Sequence, residues 1–247
     1  MGWRRACLTY TAIHLVVSLP LVLFVLPGNG RGKPDGRWKE APARQGAASL
    51  PVIMAVLVLS GLGVTIVSVH LLTMLQQRGL SLAEAVALGA LIGLAQVAGR
   101  IGEMASGGRH HPVWMLAAAC ALTATGMAML ASGFRVIGLS LVLYGAGNGI
   151  FSIAKGALPL APFGASRYAP IIGRLARPSL IAQALGPTVG AFLLSITGTG
   201  QALIVLTALA IANLVLVALL WRQIYQSTSL NACRSGRDLQ ELDQKTN

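Results

Sequence analysis

The sequence predicts an all-helical membrane protein, a polytopic bundle of about seven transmembrane helices. Seven almost unbroken apolar stretches lie at residues 6–26, 50–75, 82–98, 112–132, 136–153, 180–196 and 202–221. Each is close to the length of a bilayer crossing, because a hydrocarbon core of about 30 Å takes about 20 helical residues at a rise of 1.5 Å each. Composition agrees: 55% of the 247 residues are hydrophobic, 11% are charged, and the mean hydropathy is +0.70. A water-soluble fold of this size has no interior large enough for so much apolar surface. The basic residues also segregate to alternate connections, as the positive-inside rule requires.

The first span, 6–26, carries His14 and Pro20 and ends at Pro27-Gly28-Asn29. It is longer than a signal-peptide h-region and has no small-residue cleavage site, so it reads as a span. Ala6 stands where an N-myristoylation motif wants Ser or Thr. Residues 28–49 follow, rich in glycine and proline and holding Arg31, Lys33, Asp35, Arg37, Lys39, Glu40 and Arg44; such a segment cannot bury apolar surface and reads as a solvated linker. Residues 50–221 form a six-helix bundle. Short connections at 76–81 and 133–135 force neighbouring spans antiparallel. The connection at 154–179 is longer, with Pro159, Pro162, Pro170 and Pro178. Residues 222–247 read as a disordered polar tail.

With the first terminus outside, fifteen of the nineteen basic residues fall on the inner side, and only Arg4, Arg5, Arg78 and Arg135 remain outside. This puts the tail in the cytoplasm of a multi-pass protein of the plasma membrane, in a bacterium the inner membrane. Trp3, Tyr10, Trp114, Trp221 and Tyr225 lie near span ends, at headgroup level. Arg4 and Arg5 conflict with an outside start. The conflict resolves if further helices, absent from this chain, precede and orient the first span.

Several classes of function are disfavoured. The net charge of +12 is spread between apolar runs without interleaved aromatics, which argues against nucleic acid. Cys7, Cys120 and Cys233 are odd in number and far apart, so neither a disulfide framework nor a metal site is indicated, and His110-His111 is too isolated to hold an ion. There is no Walker pattern, nucleophile elbow or paired His and carboxylate, so no enzyme and no cofactor is expected. A retinal receptor would need a lysine in 202–221, which has none.

Gly2-Trp3-Arg4 before a proline-containing helix, the basic linker, six helices and the turn Gly99-Arg100-Ile101-Gly102 resemble the major facilitator superfamily over residues 1–226. A second resemblance, to bacterial permeases of that family, lies in Tyr144-Gly145-Ala146-Gly147-Asn148-Gly149-Ile150 with Lys155-Gly156 and Leu158-Pro159-Leu160. The resemblance implies the last helix of a first six-helix half plus a complete second half. It also implies alternating-access transport of a small solute, with a missing half or a second copy as partner. The family's cytoplasmic motif is matched at Arg100 and Gly102 and departed from at Ala95, Gly99 and Glu103. A non-transporting remnant or an assembly module is the competing reading.

Transport needs polar groups inside the spans, where each charge costs roughly 2.5–3.5 kcal/mol on insertion scales. Tyr144 and Asn148 share a helical face, and Lys155 falls on it seven residues further on. They form either a substrate stripe or an interhelical hydrogen bond plus a snorkelling lysine. His70, on a stripe with Ile66 and Thr73, faces either a wet path or a backbone carbonyl, and His14 divides the same way with more weight on packing. Gln96 and Gln183 are further pathway candidates. Arg100 and Glu103 form either a gating clasp beside Gly102 or an ordinary surface pair. Gly89 with Gly93 and Gly186 with Gly190 are small-residue crossing pairs, and Pro187 supplies a hinge. Glu84 and Glu103, the acidic residues outside linker and tail, stand near span ends, so no carboxylate serves a mid-membrane proton relay.

Overall fold

The computed structural model describes residues 3–21, 50–106, 112–133, 136–158 and 160–246. The linker expected over 28–49 and the His110-His111 pair lie outside them. Among the described residues there are helices and turns and no strand. The chain divides into two units, Met1–Lys39 and Glu40–Asn247.

The first unit holds α1, Trp3–Ile13, which widens into a π-turn at His14–Ser18. Thr9 and Thr11 return their hydroxyls to the carbonyls of Arg5 and Cys7, at 2.8 and 2.9 Å. Each hydroxyl is thereby satisfied by the helix's own backbone. His14 Nδ1 lies 3.2 Å from Ser18 Oγ across the wide turn.

The second unit contains α2 (Leu50–Gln76), α3 (Leu82–Ala105), α4 (Pro112–Ala131), α5 (Ile137–Ala157) and α6 (Leu160–Thr246). Among the described residues five helices, with Pro170–Gln223 as the crossing part of α6, are long and apolar enough to span a membrane, so this is a multi-pass membrane protein. Large apolar side chains face outward, among them Met104 at 74%, Leu94 at 69% and Phe192 at 66% exposure, which lipid tolerates and water does not. The α2–α3 turn contains Gly79 at φ +89°. It ends in a capping box: Glu84 Oε2 accepts from Ser81 N at 2.9 Å, and Ser81 Oγ accepts from Glu84 N at 3.3 Å.

Two features of α6 differ from the composition-based reading. The proline-rich connection expected over 154–179 is helical from Leu160, with Pro170 and Pro178 inside the helix. Proline removes one backbone bond, a loss that membrane helices tolerate where neighbours re-satisfy the freed group. The backbone is also helical through Thr246, where a disordered tail is expected; the run Leu239-Gln240-Glu241-Leu242 consists of good helix formers.

The 54 residues of Pro170–Gln223 would extend about 81 Å if straight, far beyond one crossing. They are folded back at Gly198, whose φ of +72° no right-handed helix accommodates. The contacts of the two arms prove the reversal. Along the first arm Ser179 meets Leu57, Gly186 meets Thr65 and Pro187 meets His70, so this arm runs parallel to α2. Along the second, Asn213 meets Ser60 and Leu209 meets Gly63, while Thr199 at the start of that arm bonds Gln77; this arm is antiparallel.

α5 occupies the equivalent place among the other helices. It runs parallel to α3, where Gly145 packs on Ile92, Gly149 on Gln96, and Arg100 bonds Ser152. It runs antiparallel to α4, where Gly147 packs on Ala119 and Thr123, and Tyr144 on Gly126. The second arm closes the bundle against α4, with the Trp114 and Trp221 rings 4.3 Å apart. Exchanging α2, α3 and α4 for α5, the first arm and the second arm therefore reproduces the pattern of packing. Because each triplet holds three crossings, the two are inverted relative to one another.

Candidate functional site

The centre of this arrangement is hollow. A cavity of ≈ 50 Å³ lies between α2, α4, α5 and the second arm, the four helices around the axis of the exchange. Leu59, Ser60, Gly63 and Val67 line it from α2, Cys120, Thr123 and Met127 from α4, Tyr144, Asn148 and Phe151 from α5, and Leu206, Leu209 and Asn213 from the second arm. All stand near the middle of their helices: Ser60 is about 15 Å along α2 from Leu50. One apolar cluster, with Met74, Leu130, Leu141 and Leu203, packs on one side. Another, with Ile53, Leu116, Leu158 and Leu220, packs on the other. The polar lining of the cavity thus lies as a layer between two apolar clusters.

Hydrogen bonding in that layer is incomplete. Asn213, 6% exposed, donates Nδ2 to Ser60 Oγ at 2.5 Å and approaches Cys120 Sγ at 3.7 Å. Among the described residues its Oδ1 has no partner, nor has the hydroxyl of Tyr144, which is 4% exposed. Thr123 satisfies itself on the carbonyl of Ala119 at 2.8 Å. A buried polar atom left unpaired costs about 1–3 kcal/mol, so this cavity is suited to a hydrogen-bonding occupant. Ser140 Oγ on α5 is likewise unpaired, away from the cavity lining.

Of the residues singled out from the sequence, Tyr144 and Asn148 face the cavity together. Lys155 is exposed in the last turn of α5 and lines no part of it, about 10 Å further along the helix than Asn148. His70 faces a backbone carbonyl: its Nε2 donates to Pro187 O at 3.0 Å. Gln183 donates to Ser179 Oγ at 3.2 Å against Gly61 of α2. Neither residue lines the cavity.

Arg100 and Glu103 do not clasp one another. Arg100 Nε donates to Ser152 Oγ at 3.0 Å, and Glu103 accepts from Ser106 Oγ at 3.2 Å; a Cβ on Gly102 would have open space. Gly186 and Gly190 face α2, where a Cβ on Gly190 would stand 2.6 Å from the His70 ring. Gly93 faces open space and Gly89 has only ordinary contact with Leu72. The close crossing on α3 is instead made by Gly145 and Gly149 of α5, because these bring a backbone without side chains to the carbonyls of Ile92 and Gln96.

Asn213 and Ser60 are cavity-lining positions that the sequence reading passes over, and Cys120, read there only as one of three scattered cysteines, lines the cavity with them. Asn213 carried a usable signal, as a carboxamide in an otherwise almost wholly apolar span. Among the described residues no group of three or more His, Cys, Asp or Glu is placed to hold a metal ion. No protein-family model matches the chain, and no curated protein matches it either.

Proposed function

We propose that this chain is part of a secondary carrier of major facilitator type that moves a small solute across a plasma membrane by alternating access. The observation that carries the reading is a polar, incompletely bonded cavity at mid-membrane on the axis of two inverted helical triplets. Inverted repeats with a site at their interface, near the bilayer midplane, are the plan by which carriers expose one site to either side in turn. Arg100, Lys155, Arg174, Arg177 and Arg222 stand at one end of the bundle and Arg78 at the other, which supports a cytoplasmic basic end and C-terminus. In this reading the described residues and the first span supply about seven crossings of the full carrier, α1 among them. Arg100 and Ser152, bonded at 3.0 Å across the cytoplasmic ends of α3 and α5, are a contact that must part when that end opens.

The test is stopped-flow light scattering of proteoliposomes challenged with compact neutral solutes and with monosaccharides, for the chain alone and with a co-reconstituted six-helix partner. Saturable, protein-dependent swelling after the osmotic shock is the expected result. Permeation no faster than in protein-free vesicles, in both preparations and for every solute, overturns the carrier reading and leaves a non-transporting assembly module.

A further inference from the structure

The chemistry of the central cavity defines what it can hold. Its polar lining consists of Ser60, Cys120, Thr123, Tyr144, Asn148 and Asn213, and no Asp, Glu, Lys, Arg or His contributes to it. With no countercharge at mid-membrane, an ion would enter at the full desolvation penalty, so the occupant is uncharged. The volume of ≈ 50 Å³ is room for a compact occupant of a few water-sized groups, since about 10–15 Å³ suffices for one.

The unpaired atoms set its polarity. Asn213 Oδ1, a carboxamide oxygen, can only accept, and the amide nitrogen beside it donates to Ser60 Oγ. The Tyr144 hydroxyl can donate, and nothing among the described residues receives that bond. An occupant that completes the layer therefore carries an N–H or O–H donor for Asn213 and a carbonyl or hydroxyl acceptor for Tyr144. We infer that the cavity is a binding site for one compact, uncharged molecule bearing both a hydrogen-bond donor and an acceptor, of the primary-amide or urea class. This gives the solute class of the same cavity and so rests on the carrier reading for its physiological meaning, although binding itself does not require transport.

Radiolabelled acetamide is the probe, in equilibrium dialysis against the full chain in lipid nanodiscs. The expected result is saturable binding of one molecule per chain, displaced by urea at low concentration but not by acetate, which is charged, nor by N,N-dimethylacetamide, which has no N–H. Tyr144→Phe keeps the ring and its packing and removes only the hydroxyl. It is expected to weaken binding about tenfold while the chain remains folded by circular dichroism, and Asn213→Leu should do the same. Absence of saturable binding, the result for a cavity that holds ordered water alone, overturns the inference, as does equal affinity in Tyr144→Phe. Acetamide binding without uptake into proteoliposomes upholds the site and removes the carrier reading. Uptake of another solute without acetamide binding does the reverse.

Discussion

Asn213, in the second arm of α6, gives its amide proton to Ser60 of α2 at 2.5 Å, joining residues 153 positions apart in the chain at the wall of the cavity. In lipid an interhelical hydrogen bond contributes about 0.6 kcal/mol on average and up to about 1.7, less than an apolar medium alone would imply. A double-mutant cycle with Ser60→Ala and Asn213→Ala, followed by reversible unfolding in mixed micelles, should yield a coupling energy in that range. Strictly additive losses would mean that the two side chains do not act on one another.

The glycines of α5 make an opposite pair of predictions with those of α3. A Cβ on Gly149 would overlap the carbonyl oxygen of Gln96, whereas one on Gly93 would meet nothing within 4 Å. Gly149→Ala should therefore destabilise the bundle by about 1–3 kcal/mol through overpacking. Gly93→Ala should be neutral or stabilising by up to about 1 kcal/mol, because alanine loses less backbone freedom in a helix. Equal unfolding midpoints for the two variants would contradict the α3–α5 contact.

Those glycines also mark the limit of what was legible in the sequence. The long apolar helices, their tight turns and the mid-helix position of Tyr144 and Asn148 on one face follow from apolar length and helical periodicity, which depend on local sequence alone. The partner of a helix does not. Gly89 with Gly93 and Gly145 with Gly149 carry the same small-residue spacing, and only the packing of α5 on α3 decides which is used. The gap left between the spans at 180–196 and 202–221 contains Gly198, while the helical course of α6 before Leu180 was hidden by its prolines, which are read as loop in water and tolerated in lipid. Asn213 escaped because Oδ1 is seen to be unpaired only once the surrounding helices are in place.

His70 and Gly190 are matched in the same sense. The His70 ring occupies the space that a side chain at position 190 would need, with Nε2 bonded to Pro187 O at 3.0 Å. Gly190→Ala should cost about 1–3 kcal/mol by forcing the ring away. His70→Ala should lose the hydrogen bond and some packing, and the double variant should be more stable than the sum of the two losses predicts. Thermal unfolding in detergent measures all three. A double variant no better than additive would show that α2 and the first arm of α6 are not held at this spacing by these two residues.

The turn holding Gln77 and the turn holding Thr199 are joined side chain to side chain, which puts both at the same face of the bundle. Arg177 lies in the first arm, 21 residues before the reversal at Gly198 and so at the opposite end. If the basic end is cytoplasmic, then in a chain with Cys7 and Cys233 replaced by serine, Thr199→Cys and Gln77→Cys should react with an impermeant maleimide in intact cells. Arg177→Cys should react only after the membrane is opened. Cys120 can stay, because it is buried. Labelling of Arg177→Cys from outside would invert the whole bundle, and labelling of Thr199→Cys and Gln77→Cys from opposite sides would break the hairpin at Gly198, on which the inverted repeat depends.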